Sequence, residues 1–594
     1  MDVGAWLERI SARLPDRERS RLLLLAVGVG AVGGASAVAF ELSMDLMGRL
    51  ILGTEEPSLH GVPAIRGIVG AVLSALACGV AGILLTRAHK PKGIPDVIGA
   101  VRGEQVDLDP RDGALSTLAG LLAIGGGQSS GREGPIVMLG GTVAAWICHR
   151  LELQPRQTRV LVAAGAAAGI AASFNSPLGG AFFALEVLLG TFAVDAFAPT
   201  VVASVTGTVV GQSLLGDRLA LVFPVLKLGS PKELLVYPVL GIVCGLVALL
   251  LRSLLRRSGE LYETVPLPPW LRPTVSGVLV GLLAMVGLNQ VMGNGYAMLE
   301  GIVGGAVLLG PVMLGLILVT KLIATAVAYG GKSGGGIFAP TLFLGAITGQ
   351  LVGEVTAMVA PTLVPQPGVL AAVGMGAVAA AVSHAPVTMA LMIAEMTGNY
   401  AIVLPLLVTI ALAVVVAAAS DRYSLYVQVL VDRGLLVEPT PDTNPVQNLR
   451  VADVMVSDGW ARVAPTASFD DLASTFLHRR EDEVVVVDDG RPLGLVDIQD
   501  IKQAMLDPSR REDANARALC RKVPTVRPDT TSHEVMALFY ETSLEVLPVV
   551  DADGKLIGMV SEHDLVGAVD KALESATPAP TERTVTPGSP AGPS

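Results

Sequence analysis

Gly131-Arg132-Glu133-Gly134-Pro135 is the stretch on which the reading of this chain turns. It sets a carboxylate among apolar segments. The residues before it, Ile124-Gly-Gly-Gly-Gln-Ser-Ser-Gly131, carry too much Gly and Ser for a helix. Those after Pro135, Ile136 to Cys148, read as an apolar helix with proline in its first turn. Glu133 is therefore expected where a broken helix begins, at membrane depth, beside unpaired backbone N–H groups. Such an end attracts anions through its free donors and its dipole. Broken helices of this polarity let transporters hold an anion without a full balancing positive charge.

The composition agrees. Of 594 residues 51% are hydrophobic and 16% charged, the balance of a polytopic membrane protein with a smaller soluble part. Apolar runs such as Leu22–Phe40, Ile65–Thr86, Val236–Leu251, Pro273–Val291 and Leu404–Ala419 fill the chain to about residue 420. Several approach spanning length, and others are cut by Gly and Pro, which predicts tilted and discontinuous helices. Sixty-seven glycines permit close helix contacts in lipid. Residues 1–20 place Trp6, Leu7, Ile10 and Leu14 on one face, an amphipathic interfacial helix rather than a cleavable signal. Arg9, Arg13, Arg17, Arg19 and Arg21 favour a cytoplasmic N-terminus. Cys78, Cys148, Cys244 and Cys520 are scattered, which argues against a disulfide framework or a zinc site. The net charge of −11, with acidic clusters in the tail, argues against a nucleic-acid partner.

Two internal repeats organise the chain. Gly134-Pro135-Ile-Val-Met-Leu-Gly140 resembles Ala339-Pro340-Thr-Leu-Phe-Leu-Gly345, 205 residues on. Pro177, with Glu186 nine residues later, matches Pro386 and Glu395 at an offset of 209. Matched broken helices predict two halves meeting at a midplane site; whether the halves are inverted is not legible here. In the tail, Gly494-Leu-Val-Asp-Ile-Gln-Asp500 matches Gly558-Met-Val-Ser-Glu-His-Asp564 at an offset of 64. Each follows an apolar strand (Val484–Val487, Val546–Val550) and an Asp/Gly turn, with helical stretches at Phe469–Arg479 and Ser532–Thr542. These are two small αβ units.

Together these motifs resemble the CLC family of chloride channels and proton/chloride antiporters. Gly131–Pro135 and Gly336-Ile337-Phe338-Ala339-Pro340 look like two of its filter motifs. Lys92-Gly93-Ile94-Pro95 looks like most of a third, and Glu395-Met-Thr-Gly-Asn-Tyr400 like another recurrent stretch. The tail resembles a pair of CBS modules. The resemblance implies an all-α polytopic membrane domain, a CLC-type inverted repeat with broken helices, followed by an α/β CBS-domain pair. It also implies a homodimer with one pore per subunit in the cell (plasma or inner) membrane, multi-pass, with both termini cytoplasmic. The expected domains are an N-terminal amphipathic helix (1–20), a transmembrane domain (21–430), a linker (431–449), the CBS pair (450–572, as 450–507 and 518–572) and a disordered tail (573–594).

By similarity Glu133 is the gating residue: its carboxylate fills an anion site, and protonation or displacement by chloride opens the path. Arg132 either orients its neighbours or snorkels to an interface. Ile337 and Phe338 map onto positions whose backbone N–H groups donate to the anion, and the glycines at 334–336 let that backbone come close. Tyr426 resembles the tyrosine whose hydroxyl donates to the anion, with Tyr423 as competitor. Lys92, Gly93 and Ile94 line the first filter motif, where Lys92 stands in place of the usual serine. A lysine there either adds positive charge to the pore or snorkels to the cytosolic surface.

A second departure concerns coupling. Family antiporters commonly carry Glu-Glu where this chain has Glu186-Val187, and valine cannot relay a proton. The expectation is a passive anion channel, with a proton/chloride antiporter as the alternative and Glu186 as a structural acid at a helix end. CBS modules commonly bind adenine nucleotide. Ser561 and Asp564 keep the hydroxyl/carboxylate pair for ATP, ADP or AMP, whereas Asp497 replaces the hydroxyl in the first unit; the alternative is a purely structural dimerisation module. A CBS-regulated divalent-cation channel would need converging acids and gives Gly131–Pro135 no role. An anchor for a nucleotide sensor would need only plain spans. No nucleophile–base pair or metal cluster indicates an enzyme.

Overall fold

A computed structural model describes residues 17–53, 64–88, 93–103, 106, 108–216, 231–285, 289–305, 307, 309–363, 368–435, 449–479, 483–506, 515–542 and 544–568. The chain divides at Leu436–Val437 into two compact units. The expected amphipathic helix before Arg17, Lys92, most of the linker and the C-terminal tail lie outside the described residues.

The first unit is helical. Its first half comprises α1 (Arg17–Leu52), α2 (Ala64–Arg87), α3 (Ile94–Arg102), α4 (Pro110–Gly125), α5 (Glu133–Arg150), α6 (Pro155–Phe174), α7 (Pro177–Phe182) and α8 (Val194–Leu215). The second comprises α9 (Val236–Thr264), α10 (Arg272–Met285), α11 (Tyr296–Val303), α12 (Pro311–Gly330), α13 (Phe338–Val359), α14 (Val369–Ser383), α15 (Pro386–Thr397), α16 (Val403–Ala418) and α17 (Leu425–Asp432). Among the described residues seven helices are long and apolar enough to cross a membrane, while α7, α14 and α15 fall in shorter apolar segments. Within the apolar run Pro273–Val291, α10 is described as far as Met285 and a 3-10 turn covers Asn289–Val291.

Proline and a left-handed residue make the breaks. α6 ends at Asn175 (φ 50°) and α7 restarts at Pro177; α14 ends at His384 (φ 52°) and α15 restarts at Pro386. A non-glycine left-handed residue costs about 1–2 kcal/mol. Both repeats carry that cost at the same place, because the following proline cannot continue the helix.

Packing repeats as well. A Cβ at Gly140 would strike the Gly165 backbone, and one at Gly345 would strike Gly374. The pairs lie 205 and 209 residues apart, so α5 crosses α6 as α13 crosses α14. Two carboxylates then lock the halves together. Glu186 accepts from Val387 N (3.2 Å), Thr388 N (2.7 Å) and Thr388 Oγ1 (2.6 Å) at the start of α15. Glu395 accepts from Ser176 Oγ (2.5 Å), Leu178 N (3.0 Å) and Gly179 N (2.8 Å) at the start of α7. Each acid caps the broken helix of the opposite repeat and takes up its first, otherwise unpaired donors.

The second unit pairs β1 (Arg462–Val463), β2 (Glu483–Asp488) and β3 (Arg491–Asp497) in one sheet, and β4 (Val546–Val550) with β5 (Leu556–Ser561) in another. β2–β3 and β4–β5 are antiparallel hairpins. Helices α18 (Phe469–Arg479) and α19 (Ser532–Thr542) match the two stretches read from sequence.

Candidate anion pathway

The N-termini of α5 and α13 meet. Gly131 N donates to Gly336 O (2.7 Å) and Gly336 N donates to Gly131 O (2.8 Å), a two-residue antiparallel bridge between the repeats. Glycine is required on both strands. A Cβ at either position would collide with the Glu133 carboxylate, which lies between them.

Glu133 is buried, 1% exposed. Its Oε1 accepts from Phe338 N at 2.5 Å and from Ala339 N at 3.3 Å, the first free donors of α13. Its Oε2 takes no hydrogen bond among the described residues. A carboxylate thus occupies an amide cradle belonging to the other repeat, in surroundings where unpaired charge is expensive. The Phe338 side chain is buried and meets Phe174 edge-on, centroids 5.4 Å apart, which fixes the start of α13.

Arg132 does not snorkel. It is 7% exposed, bonds Glu41 of α1 at 2.7 Å, donates to Ser173 O at 3.1 Å and lies over the Tyr296 ring. An acid 91 residues away in sequence decides this, and nothing local announces it.

Beside the bridge is a cavity of about 360 Å³. Gly93 and Ile94 line it from the start of α3, Gly134 from α5, Gly336 and Ile337 from the approach to α13, and Tyr426 from α17. It runs from Lys332 and Arg433, partly exposed, to the buried Ser129, Ser130 and Gly134. Tyr426 is buried and within electrostatic range of Glu133, whereas Tyr423 offers its backbone oxygen to Arg252 at 2.6 Å and is not among the lining residues. Gly93 N is already bonded to Asp96 Oδ2 (2.8 Å), and Asp96 pairs with Arg433 at 3.0 Å. Sequence reasoning missed both; Asp96, three residues into α3 from its cap, was the available signal.

Val187 is not among the residues lining this cavity; it lies in a π-helical segment (Phe183–Leu189) that continues α7. Arg102 at the end of α3 donates to Val187 O and Leu188 O, both at 2.9 Å. Glu186, beside it, is consumed in capping α15.

In the second unit Ser561 Oγ donates to Asp564 Oδ2 (2.6 Å) and Asp564 N donates back to Ser561 Oγ (3.0 Å). The equivalent Asp500 is held by Arg521 at 2.5 Å and Asp497 Oδ1 accepts from Gln499 N at 2.6 Å.

Two repeats of broken apolar helices, aimed amide-first at one buried carboxylate, are the architecture of a polytopic anion transporter. Residues 74–418 match the voltage gated chloride channel family, and residues 451–507 and 516–571 match the CBS domain. The chain belongs to that CLC family and carries a C-terminal CBS pair. It is 31% identical over 438 residues to the H(+)/Cl(-) exchange transporter ClcA of Yersinia pseudotuberculosis, covering 71% of this chain and 90% of the relative. It is 30% identical over 420 residues to the voltage-gated ClC-type chloride channel ClcB of Salmonella typhimurium, covering 69% and 98%. A slow cyanobacterial Cl⁻/H⁺ antiporter superposes with a TM-score of 0.63 at 26% identity, covering 70% of this chain and 98% of that one.

Proposed function

We propose that this chain conducts chloride or a similar monovalent anion passively through the membrane, with Glu133 as the gate. The observation that carries the reading is the pair of bonds from Phe338 N and Ala339 N to Glu133 Oε1. Donors that can hold an anion hold a side-chain anion instead, so conduction requires the carboxylate to leave, by protonation or by competition with chloride. Gly93, Ile94, Ile337 and Tyr426 then form the anion's path, with Lys92 at its first motif. Passive conduction is favoured over exchange because Val187 has no proton to give and Glu186 is spent on α15.

The functional unit in this reading is a homodimer in the cell membrane with both termini cytoplasmic. A second part of the reading concerns the tail: at a strand end where they are held against each other, Ser561 takes the phosphate and Asp564 the ribose of ATP, ADP or AMP. Titrating the full-length protein with each nucleotide tests this, and Asp564→Ala should abolish the heat.

Reconstitution with chloride and proton flux recorded together tests the main reading. The native chain should dissipate a chloride gradient without moving protons uphill, and Glu133→Ala should leave flux insensitive to pH. Sustained proton pumping driven by chloride would instead establish exchange.

A further inference from the structure

Ser130 precedes the Gly131–Gly336 bridge by one residue and lines the cavity beside Gly335, Gly336 and Tyr426. Its side chain is 5% exposed, and its Oγ has no hydrogen-bond partner among the described residues. The serine and threonine hydroxyls around it are committed. Ser129 Oγ bonds Thr325 Oγ1 (3.1 Å), Ser333 Oγ donates to Ala328 O (2.9 Å) and Thr341 Oγ1 donates to Phe338 O (2.6 Å). A buried hydroxyl left unpaired is costly unless a ligand or water takes it up.

The surroundings say which ligand. The helix starts of α3, α5 and α13 turn their positive ends to this cavity, through Gly93, Gly134 and Ile337. The acids on its wall already have partners: Asp96 with Gly93 N and Arg433, both on the same wall, and Asp432 with Gln428 Nε2 at 2.7 Å. A cation finds no free carboxylate among these, whereas an anion finds dipoles, the Tyr426 hydroxyl and the unpaired Ser130 O–H.

We propose that the Ser130 hydroxyl is a further ligand of the permeating anion, donating to it on the cavity side of Glu133. It thereby sets the preference for small, strongly hydrated halides over large polyatomic anions. A single O–H bond is worth most to a compact anion that must give up tightly held water. The inference rests on the anion-conduction reading but not on whether protons are coupled.

The test uses the purified full-length chain. Chloride is titrated calorimetrically, and chloride and thiocyanate fluxes are compared in liposomes, for the native chain, Ser130→Ala and Ser130→Thr. Ser130→Ala should weaken chloride binding about tenfold and lower the chloride/thiocyanate flux ratio, while Ser130→Thr retains both. Native affinity and ratio in Ser130→Ala would overturn the proposal, leaving the hydroxyl to a wall water. Equal losses for both anions in both variants would also overturn it, by showing that the side chain only packs. Should Ser130→Ala not survive purification, Ser130→Gly against Ser130→Thr reads the same contrast. Equilibrium binding is blind to proton coupling, so exchange activity would sink the channel reading without touching this result.

Discussion

Replacing Glu133 with alanine should tighten chloride binding, and the structure sets the size of the effect. The carboxylate holds its place through one short bond, from Phe338 N at 2.5 Å, and one long bond, from Ala339 N at 3.3 Å. A charge-assisted hydrogen bond contributes about 1.5–3 kcal/mol, and the long one adds little. We take the hold as about 2–3 kcal/mol. A ligand that binds only when the carboxylate has left sees its affinity reduced by the fraction of molecules in that state. That fraction is about one in 30 to one in 150, so Glu133→Ala should lower the chloride Kd roughly 30- to 150-fold. Glu133→Gln keeps the length but loses the charge, and should fall between. Calorimetric titration of the purified protein with chloride at neutral pH measures all three. A Kd in Glu133→Ala within twofold of the native value would refute the idea that the side chain and the anion compete for the same amides.

The glycines around the carboxylate give a second handle: Gly336→Ala should displace it yet fail to reach the chloride affinity of Glu133→Ala, because the same methyl crowds the anion's seat, read in the same titration. Glu395→Ala strips Ser176, Leu178 and Gly179 of their acceptor and should lower stability by about 1–3 kcal/mol, seen as a drop in Tm in detergent. Arg132→Ala leaves Glu41 without its buried partner and should cost roughly 3 kcal/mol, while Arg132→Ala with Glu41→Ala should recover part of it in a double-mutant cycle. In the soluble unit, the Ser468 hydroxyl and N–H hold the exposed Asp471 carboxyl below its ordinary value of 3.8. Its support for the start of α18 is therefore whole above about pH 4 and fades as the pH falls further. Asp471→Asn should flatten that acid limb of the tail's unfolding curve, with little change at pH 7.

Much was legible from the chain alone. Gly-rich approaches and Pro at helix starts are local backbone preferences, so they place helix breaks without any tertiary information. The 205- and 209-residue offsets revealed the duplication, and continuous apolar strands followed by Asp/Gly turns located the tail's hairpins. The motifs also picked out Glu133 and the lining residues Gly93, Ile94, Ile337 and Tyr426.

What lay beyond the sequence was who faces whom. That Glu133 takes its donors from Phe338 and Ala339, that Glu186 and Glu395 exchange helix ends, and that Arg132 turns inward to Glu41 rather than to an interface are pairings across long stretches of chain. Local propensity sees only near neighbours. Hydrogen bonds and ion pairs between distant segments are chosen by packing, where a buried donor without an acceptor is penalised and a glycine admits the approach that any Cβ would forbid. The amino-acid sequence alone therefore decided where the helices break and which acid stands at the break. The tertiary structure decided that this acid sits in an amide cradle supplied by the other half, because only the folded repeats bring the two helix starts together.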